Sequence, residues 1–279
     1  MEGGIKPIFK QKVPCQDKKK KMYSKMKITL LQTDIIWGQP EANLAHLDHL
    51  LEGVGECDLI VLPEMFTTGF DTNPETVADD EGLALKWMRN TVRQRNCALA
   101  GSVATKVGEN YYNRMYFVSP DLLLASYDKH HLFTYGHEQE AFTPGHRRVV
   151  IPYRGARILL QVCYDLRFPV FSRNRGDYDL AIYVANWPQG RQKVWDTLLS
   201  ARAIENQAYV VGVNRVGSDA NGQYAGGSKL VDLFGETIVK AEEGVESIVT
   251  GEIDLDRLKA FRKEFPVLDD ADQFKLLVP

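Results

Sequence analysis

Cysteine is scarce in this chain: four residues, Cys15, Cys57, Cys97 and Cys163, are scattered over 279, with no C-x-x-C pair and no Cys/His grouping at zinc spacing. The scatter argues against a disulfide framework and against a structural metal, and it fits a reducing cytoplasm. Long hydrophobic runs are also missing; none approaches the ~18 apolar residues of a membrane-spanning helix. The lysine-rich start lacks the apolar core of a secretory signal, so a soluble, unprocessed protein with no membrane partner is expected. Nor does one sign of charge prevail. A net charge of -3 gives no electrostatic reason to expect nucleic acid or an anionic membrane as the main partner.

What is present is ordinary for a globular protein, with 44% hydrophobic and 25% charged residues, and the length suits one large domain with a sizeable core. Residues 1–25 stand apart. They hold Gly3-Gly4, Pro7, Pro14 and lysines at 18–21 without a sustained period, and read as a flexible basic extension ahead of a single domain over residues 26–279. A basic run can bind nucleic acid; a solvated tail is the simpler reading.

From residue 27 the pattern is that of an α/β fold. The strand I-T-L-L-Q-T, 28–33, leads through Gly38-Gln39-Pro40 into an amphipathic helix with Leu44, Leu47, Leu50, Leu51 and Val54 on one face, and 58–62 is a second strand. A helix over 82–94 and strands over 97–105, 111–119 and 122–127 follow, the last two as a hairpin at Pro120-Asp121. Strands 158–162 and 178–184, a helix over 191–207, strands 208–214, 224–233 and 247–253, and a helix capped by Asp254 complete the chain. Two strand-rich halves, each with two helices, predict two sheets packed face to face with helices outside.

Three chemically versatile side chains fall just beyond such strands. Glu64 follows 58–62 in L-P-E-M-F, Lys129 follows 122–127 in Y-D-K-H-H-L-F, and Cys163 ends 158–162 in V-C-Y-D-L-R-F-P. Each has a bland reading: a loop glutamate in an ion pair, a solvated lysine, a cysteine acting as a small buried hydrophobe. Phe168-Pro169 predicts a helix starting just after Cys163, a position that lowers a thiol pKa. His130 and His131, without a third ligand, are weak evidence for a metal. The loop 134–145, with Glu138 and Glu140, is placed to overhang a pocket.

Taken together, Glu64, Lys129 and Cys163 resemble the Glu–Lys–Cys triad of the nitrilase superfamily of carbon–nitrogen hydrolases, in the same chain order and over roughly residues 27–261. The resemblance implies an α-β-β-α sandwich. Glu138 in E-Q-E-A-F-T-P-G matches the additional glutamate of many members, and Asn186 in A-N-W-P and the helix ending A-R-A-I-E-N also look like family signatures. C-Y-D-x-R-F-P is similar to the amidase branch that includes omega-amidases acting on 2-oxoglutaramate and 2-oxosuccinamate, although Val170 stands where many relatives have Glu. The implied roles are Glu64 as general base and acid, Cys163 as nucleophile forming a thioester, Lys129 and the Tyr164 backbone N–H as oxyanion donors, and Glu138 as a positioning group. No metal or organic cofactor is needed. Arg167, Arg191 and Lys193 are candidates for the substrate's carboxylate, and Phe66, Phe133, Phe168, Asn186 and Trp187 for the pocket wall. A homodimer is expected across the face holding the helices near Phe168 and Arg191. The alternatives are another amidase of the superfamily, such as one for N-carbamoyl amines, a nitrilase, or a non-catalytic scaffold on the same fold.

Overall fold

The computed structural model describes residues 24–277 apart from 81, 122 and 123. The lysines at 18–21, and the rest of the expected extension up to residue 23, lie outside them. Lys25, assigned to that extension, already opens the first strand and pairs with Asp254.

The chain enters as β1 (Lys25–Gln32), α1 (Pro40–Glu52), β2 (Leu59–Val61), the single turn α2 (Pro74–Val77) and α3 (Leu83–Arg95). Next come β3 (Ala98–Val107), β4 (Asn110–Val118), β5 (Leu124–Asp128), the one-turn α4 (Glu138–Ala141), β6 (Val150–Tyr153) and β7 (Ala156–Val162). The remainder is α5 (Pro169–Ser172), β8 (Leu180–Ala185), α6 (Gln192–Asn206), β9 (Tyr209–Asn214), the ribbon β10 (Val216–Asp219) with β11 (Gly222–Ala225), β12 (Lys229–Val231), β13 (Thr237–Lys240), β14 (Ser247–Asp254) and α7 (Leu255–Glu264).

Among the described residues the strands form two six-stranded sheets, β14-β1-β2-β3-β4-β5 and β13-β12-β9-β8-β7-β6. In each sheet the three central strands run parallel and the outer ones antiparallel. Alternation along the strands builds the layers. Ile28, Leu30, Leu59 and Val61 of one sheet meet Ile158, Leu160, Ile182 and Val184 of the other in a single core. The intervening Leu31, Ile60 and Leu62 pack outward on Leu44, Leu47 and Met88 of α1 and α3, while Ala181, Tyr183 and Val210 pack on Trp195, Leu199 and Ala203 of α6. This is the expected α-β-β-α sandwich.

Three departures have physical causes. The last strand does not stay with its half: β14 returns to pair antiparallel with all of β1. The strand expected over 224–233 is broken by Gly226 and Gly227, both at positive φ, into β11 and β12. The helix expected to open at Phe168-Pro169 does start at Pro169 but is only the single turn α5, and it is separated from Cys163 by a 3₁₀ turn over Cys163–Arg167, because Phe168 precedes Pro169 and is driven out of the α region, to φ -112 and ψ 89.

Candidate active site

β2, β5 and β7 deliver Glu64, Lys129 and Cys163 from their carboxyl ends to one rim of the sandwich, the end of an α/β sheet where ligands bind. Lys129 is pinned through its backbone, its N–H donating to Asn113 O and its O accepting from Gly145 N, both at 2.9 Å. Its Nζ donates to Glu64 Oε1 at 2.9 Å and to Glu138 Oε1 and Oε2 at 3.0 and 2.8 Å, with all three side chains fully buried. Burial opposes the ammonium, but the charges of Glu138 and Glu64 outweigh it and hold the Lys129 pKa above the ordinary lysine range. Burial also pushes the Glu138 carboxyl up; Lys129 pulls it back and Glu64 adds to the rise.

Cys163 sits at φ 45, a left-handed conformation that costs a non-glycine residue strain, and Met65 beside Glu64 does the same at φ 44. The cysteine sulfur hydrogen-bonds Glu64. Burial, and next the charge of Glu64, raise the thiol pKa well above its ordinary value, and Lys129 counteracts only part of this. The sequence-based expectation of a thiol activated by a helix end is therefore corrected: no continuous helix starts here, and the carboxylate beside the sulfur disfavours its anion.

The supporting groups were not visible in the sequence. Asn113, on β4, donates through Nδ2 to Glu64 Oε1 at 2.7 Å and Glu138 Oε1 at 3.1 Å, and its Oδ1 accepts from Ser102 Oγ at 2.9 Å. The Phe133 N–H donates to Glu138 Oε2 at 2.6 Å. Asp165 joins the cysteine turn to the lysine loop, accepting from Val162 N, His131 N and Tyr127 Oη at 2.9, 3.0 and 2.7 Å. The paired histidines serve this scaffold. His131 shares a 2.8 Å hydrogen bond with Asp165 and stacks on Phe168, while His130 meets Gly145 O at 2.6 Å and stacks on Phe171. A signal for Asn113 exists only in retrospect, as a small amide on a buried strand position.

Above the triad opens a cavity of about 340 Å³ whose wall includes Tyr164, Phe133, Arg167, Asn186, Trp187 and Arg191. Asn186 reaches it with its donors already engaged: its N–H bonds Glu64 Oε2 and its Nδ2 bonds Glu64 O, both at 2.7 Å. It thus clamps the glutamate. The Arg167 guanidinium lies over the Trp187 ring and that of Arg191 over Phe133, at 5.2 Å each. Among the described residues neither has a carboxylate partner. Three expected wall or carboxylate contacts are corrected. Phe66 is buried against Trp87 in the layer under α3, and Phe70, four residues on, takes the wall position. Phe168 stands behind the wall, bracing His131 and Tyr164. Lys193 is exposed on α6 outside the cavity.

A half-buried cysteine beside a glutamate, with a lysine between two carboxylates, thus stands at the rim of an α-β-β-α sandwich. A family model, Carbon-nitrogen hydrolase, matches residues 27–263, and the chain belongs to that family. It is 49% identical over 255 residues to an omega-amidase, YafV, of Yersinia enterocolitica, covering 91% of this chain and 100% of the relative. It is 35% identical over 254 residues to a 2-oxoglutaramate amidase of Bacillus subtilis, covering 88% and 97%. Among solved structures, a CN-hydrolase superfamily protein of Xanthomonas campestris with an arsenic adduct in its active site superposes with a TM-score of 0.87 at 41% identity, covering 90% of this chain and 99% of that one.

Proposed function

We propose that this protein is an omega-amidase, releasing ammonia from the terminal amide of small omega-amido 2-oxo acids such as 2-oxoglutaramate and 2-oxosuccinamate. The observation that carries the reading is the cavity itself. A triad lines it together with two guanidinium groups that have no carboxylate partner among the described residues, which suits a short substrate with an amide at one end and a carboxylate at the other. The relatives that bear the name omega-amidase or 2-oxoglutaramate amidase support the same choice.

Because the resting thiol is protonated, its proton leaves as the carbon–sulfur bond forms. Glu64 takes it, and the Cys163 sulfur attacks the amide carbonyl. The oxyanion is met by Lys129, whose raised pKa keeps it an ammonium throughout, and by the Tyr164 N–H, one of the opening donors of the 3₁₀ turn that have no acceptor within it. One such donor contributes about 3–4 kcal/mol to lowering the barrier. Glu64 then hands its proton to the nitrogen, the carbon–nitrogen bond breaks, and ammonia departs from a thioester. Water, deprotonated by Glu64, attacks that thioester; the acid leaves and the proton returns to sulfur. Glu138, fixed by Lys129, Asn113 and Phe133, orients the ammonium and the substrate nitrogen.

The finer expectations belong to the same proposal. Exposed Val170 on α5 and Ile204 on α6 favour pairing of two copies across that face; a monomer by light scattering at micromolar concentration contradicts it. Free thiols at Cys57, Cys97 and Cys163 accord with a cytoplasmic setting. Among the described residues no helix is long and apolar enough to cross a membrane.

Ammonia release from 2-oxoglutaramate and 2-oxosuccinamate, beside glutamine, a nitrile and an N-carbamoyl amine, tests the reading. Turnover of the oxo-acid amides alone supports it. Preferential turnover of the nitrile or the N-carbamoyl amine replaces it with another branch of the superfamily, and no turnover of any favours the scaffold.

A further inference from the structure

A second pair of thiols lies at the far end of the first sheet. Cys57 precedes β2 and Cys97 precedes β3, and the parallel register pairing Leu59 with Ala98 brings Cys97 beside Asp58, one residue from Cys57. Both side chains enter the apolar layer beneath α1 and α3, and both are free. The Cys97 thiol hydrogen-bonds the Cys57 sulfur, Thr29 supplies another hydrogen bond to it, and Arg95 adds positive charge. These donors, led by Cys97, lower the Cys57 pKa to about 7, against the opposing effect of burial. Cys57 also lines a surface cleft of about 180 Å³ with Lys25, Lys27, Glu56, Asp58 and Glu252; Cys97 does not reach it. Two thiols that were only core hydrophobes would need neither convergent donors on one sulfur nor an opening to solvent beside it.

We propose that Cys57 and Cys97 form a peroxide-sensitive dithiol that hydrogen peroxide converts into an intramolecular disulfide. The Cys57 thiolate attacks one peroxide oxygen; the O–O bond breaks, sulfur is oxidised to the sulfenic acid, and the departing hydroxide takes a proton to become water. The Cys97 sulfur then attacks the sulfenyl sulfur. The S–O bond breaks, and the oxygen leaves with the Cys97 proton as a second water. Neighbouring strands lie about 4.8 Å apart and one residue advances about 3.3 Å along a strand, so the one-residue offset between Cys57 and Cys97 implies a diagonal Cα separation of about 5.8 Å, within the roughly 4.4–6.8 Å that disulfides span. The bridge ties the bases of β2 and β3, far from the triad, so the proposal stands independently of the hydrolase reading.

The full chain carrying Cys163→Ala, treated with hydrogen peroxide at neutral pH, denatured, alkylated with N-ethylmaleimide and digested without reductant, tests it. The expected product is a cross-linked Cys57/Cys97 peptide, lighter than its two parts by two hydrogen atoms and separated by dithiothreitol. Adding Cys97→Ser should leave a dimedone-trappable sulfenic acid on Cys57, whereas adding Cys57→Ser should leave Cys97 fully alkylatable. Complete alkylation of both cysteines after peroxide, or oxidation that begins at Cys97, overturns the proposal.

Discussion

The Asn113 side chain donates to Glu64 Oε1 at 2.7 Å, and the same Nδ2 reaches Glu138 Oε1 at 3.1 Å, so a neutral amide fixes both carboxylates that flank Lys129. Asn113→Ala removes two hydrogen bonds to charged groups, and a loss of about 2–3 kcal/mol corresponds to a roughly 30- to 150-fold fall in kcat. KM should change little, because Asn113 is not part of the cavity wall. Steady-state kinetics beside a thermal melt separates this from unfolding.

The raised thiol pKa sets a second expectation. Alkylation of Cys163 by iodoacetamide in the resting enzyme should climb with pH through and beyond the ordinary thiol value of about 8.5, without a plateau near neutrality. Glu64→Gln removes a negative charge and should move the profile to lower pH; Lys129→Met removes a positive one and should move it higher. A plateau in the acidic range would mean that the thiolate is already formed at rest.

Lys129 also links stability to pH. Its folded pKa lies above the unfolded value of about 10.4, so its contribution is complete below that value and is lost as pH rises through the folded pKa. Lys129→Met, which leaves Glu64 and Glu138 facing each other unpaired, should cost about 3–5 kcal/mol at neutral pH. Its stability should then decline less steeply than that of the wild type on the alkaline side, as urea titrations across the pH range will show.

For carboxylate recognition, Arg191→Leu should lower kcat/KM for 2-oxoglutaramate by roughly 10- to 150-fold, the worth of a hydrogen bond to a charged group. A neutral amide lacking the carboxylate should be turned over almost as before. Lys193→Leu should leave both unchanged, since that side chain lies outside the cavity.

Strand ends were legible because buried strands announce themselves as short apolar runs, and the polar residue that breaks each run is where Glu64, Lys129 and Cys163 stand. The side chains that steady them were not. Asn113 lies within β4 and contributes through a partner brought together by the fold, and Asn186, legible as a signature and a pocket-wall candidate, carries no local mark of its hold on Glu64. Phe66 and Phe70 share one turn-rich segment, and only the path of the chain through Met65 and Gly69, both at positive φ, decides which ring faces the cavity. β14 was seen as a strand, but its return to β1 depends on pairing across more than two hundred residues, which no local pattern encodes.

Whether Cys163 carries the acyl group is read by peptide mass analysis of the enzyme acid-quenched during turnover of 2-oxoglutaramate. Thioester catalysis by Cys163 predicts an acyl group on the Cys163 peptide, displaced by hydroxylamine and missing from Cys163→Ala, which should release no ammonia above background. Ammonia release by Cys163→Ala at the wild-type rate, with no acylated cysteine in either protein, would contradict it.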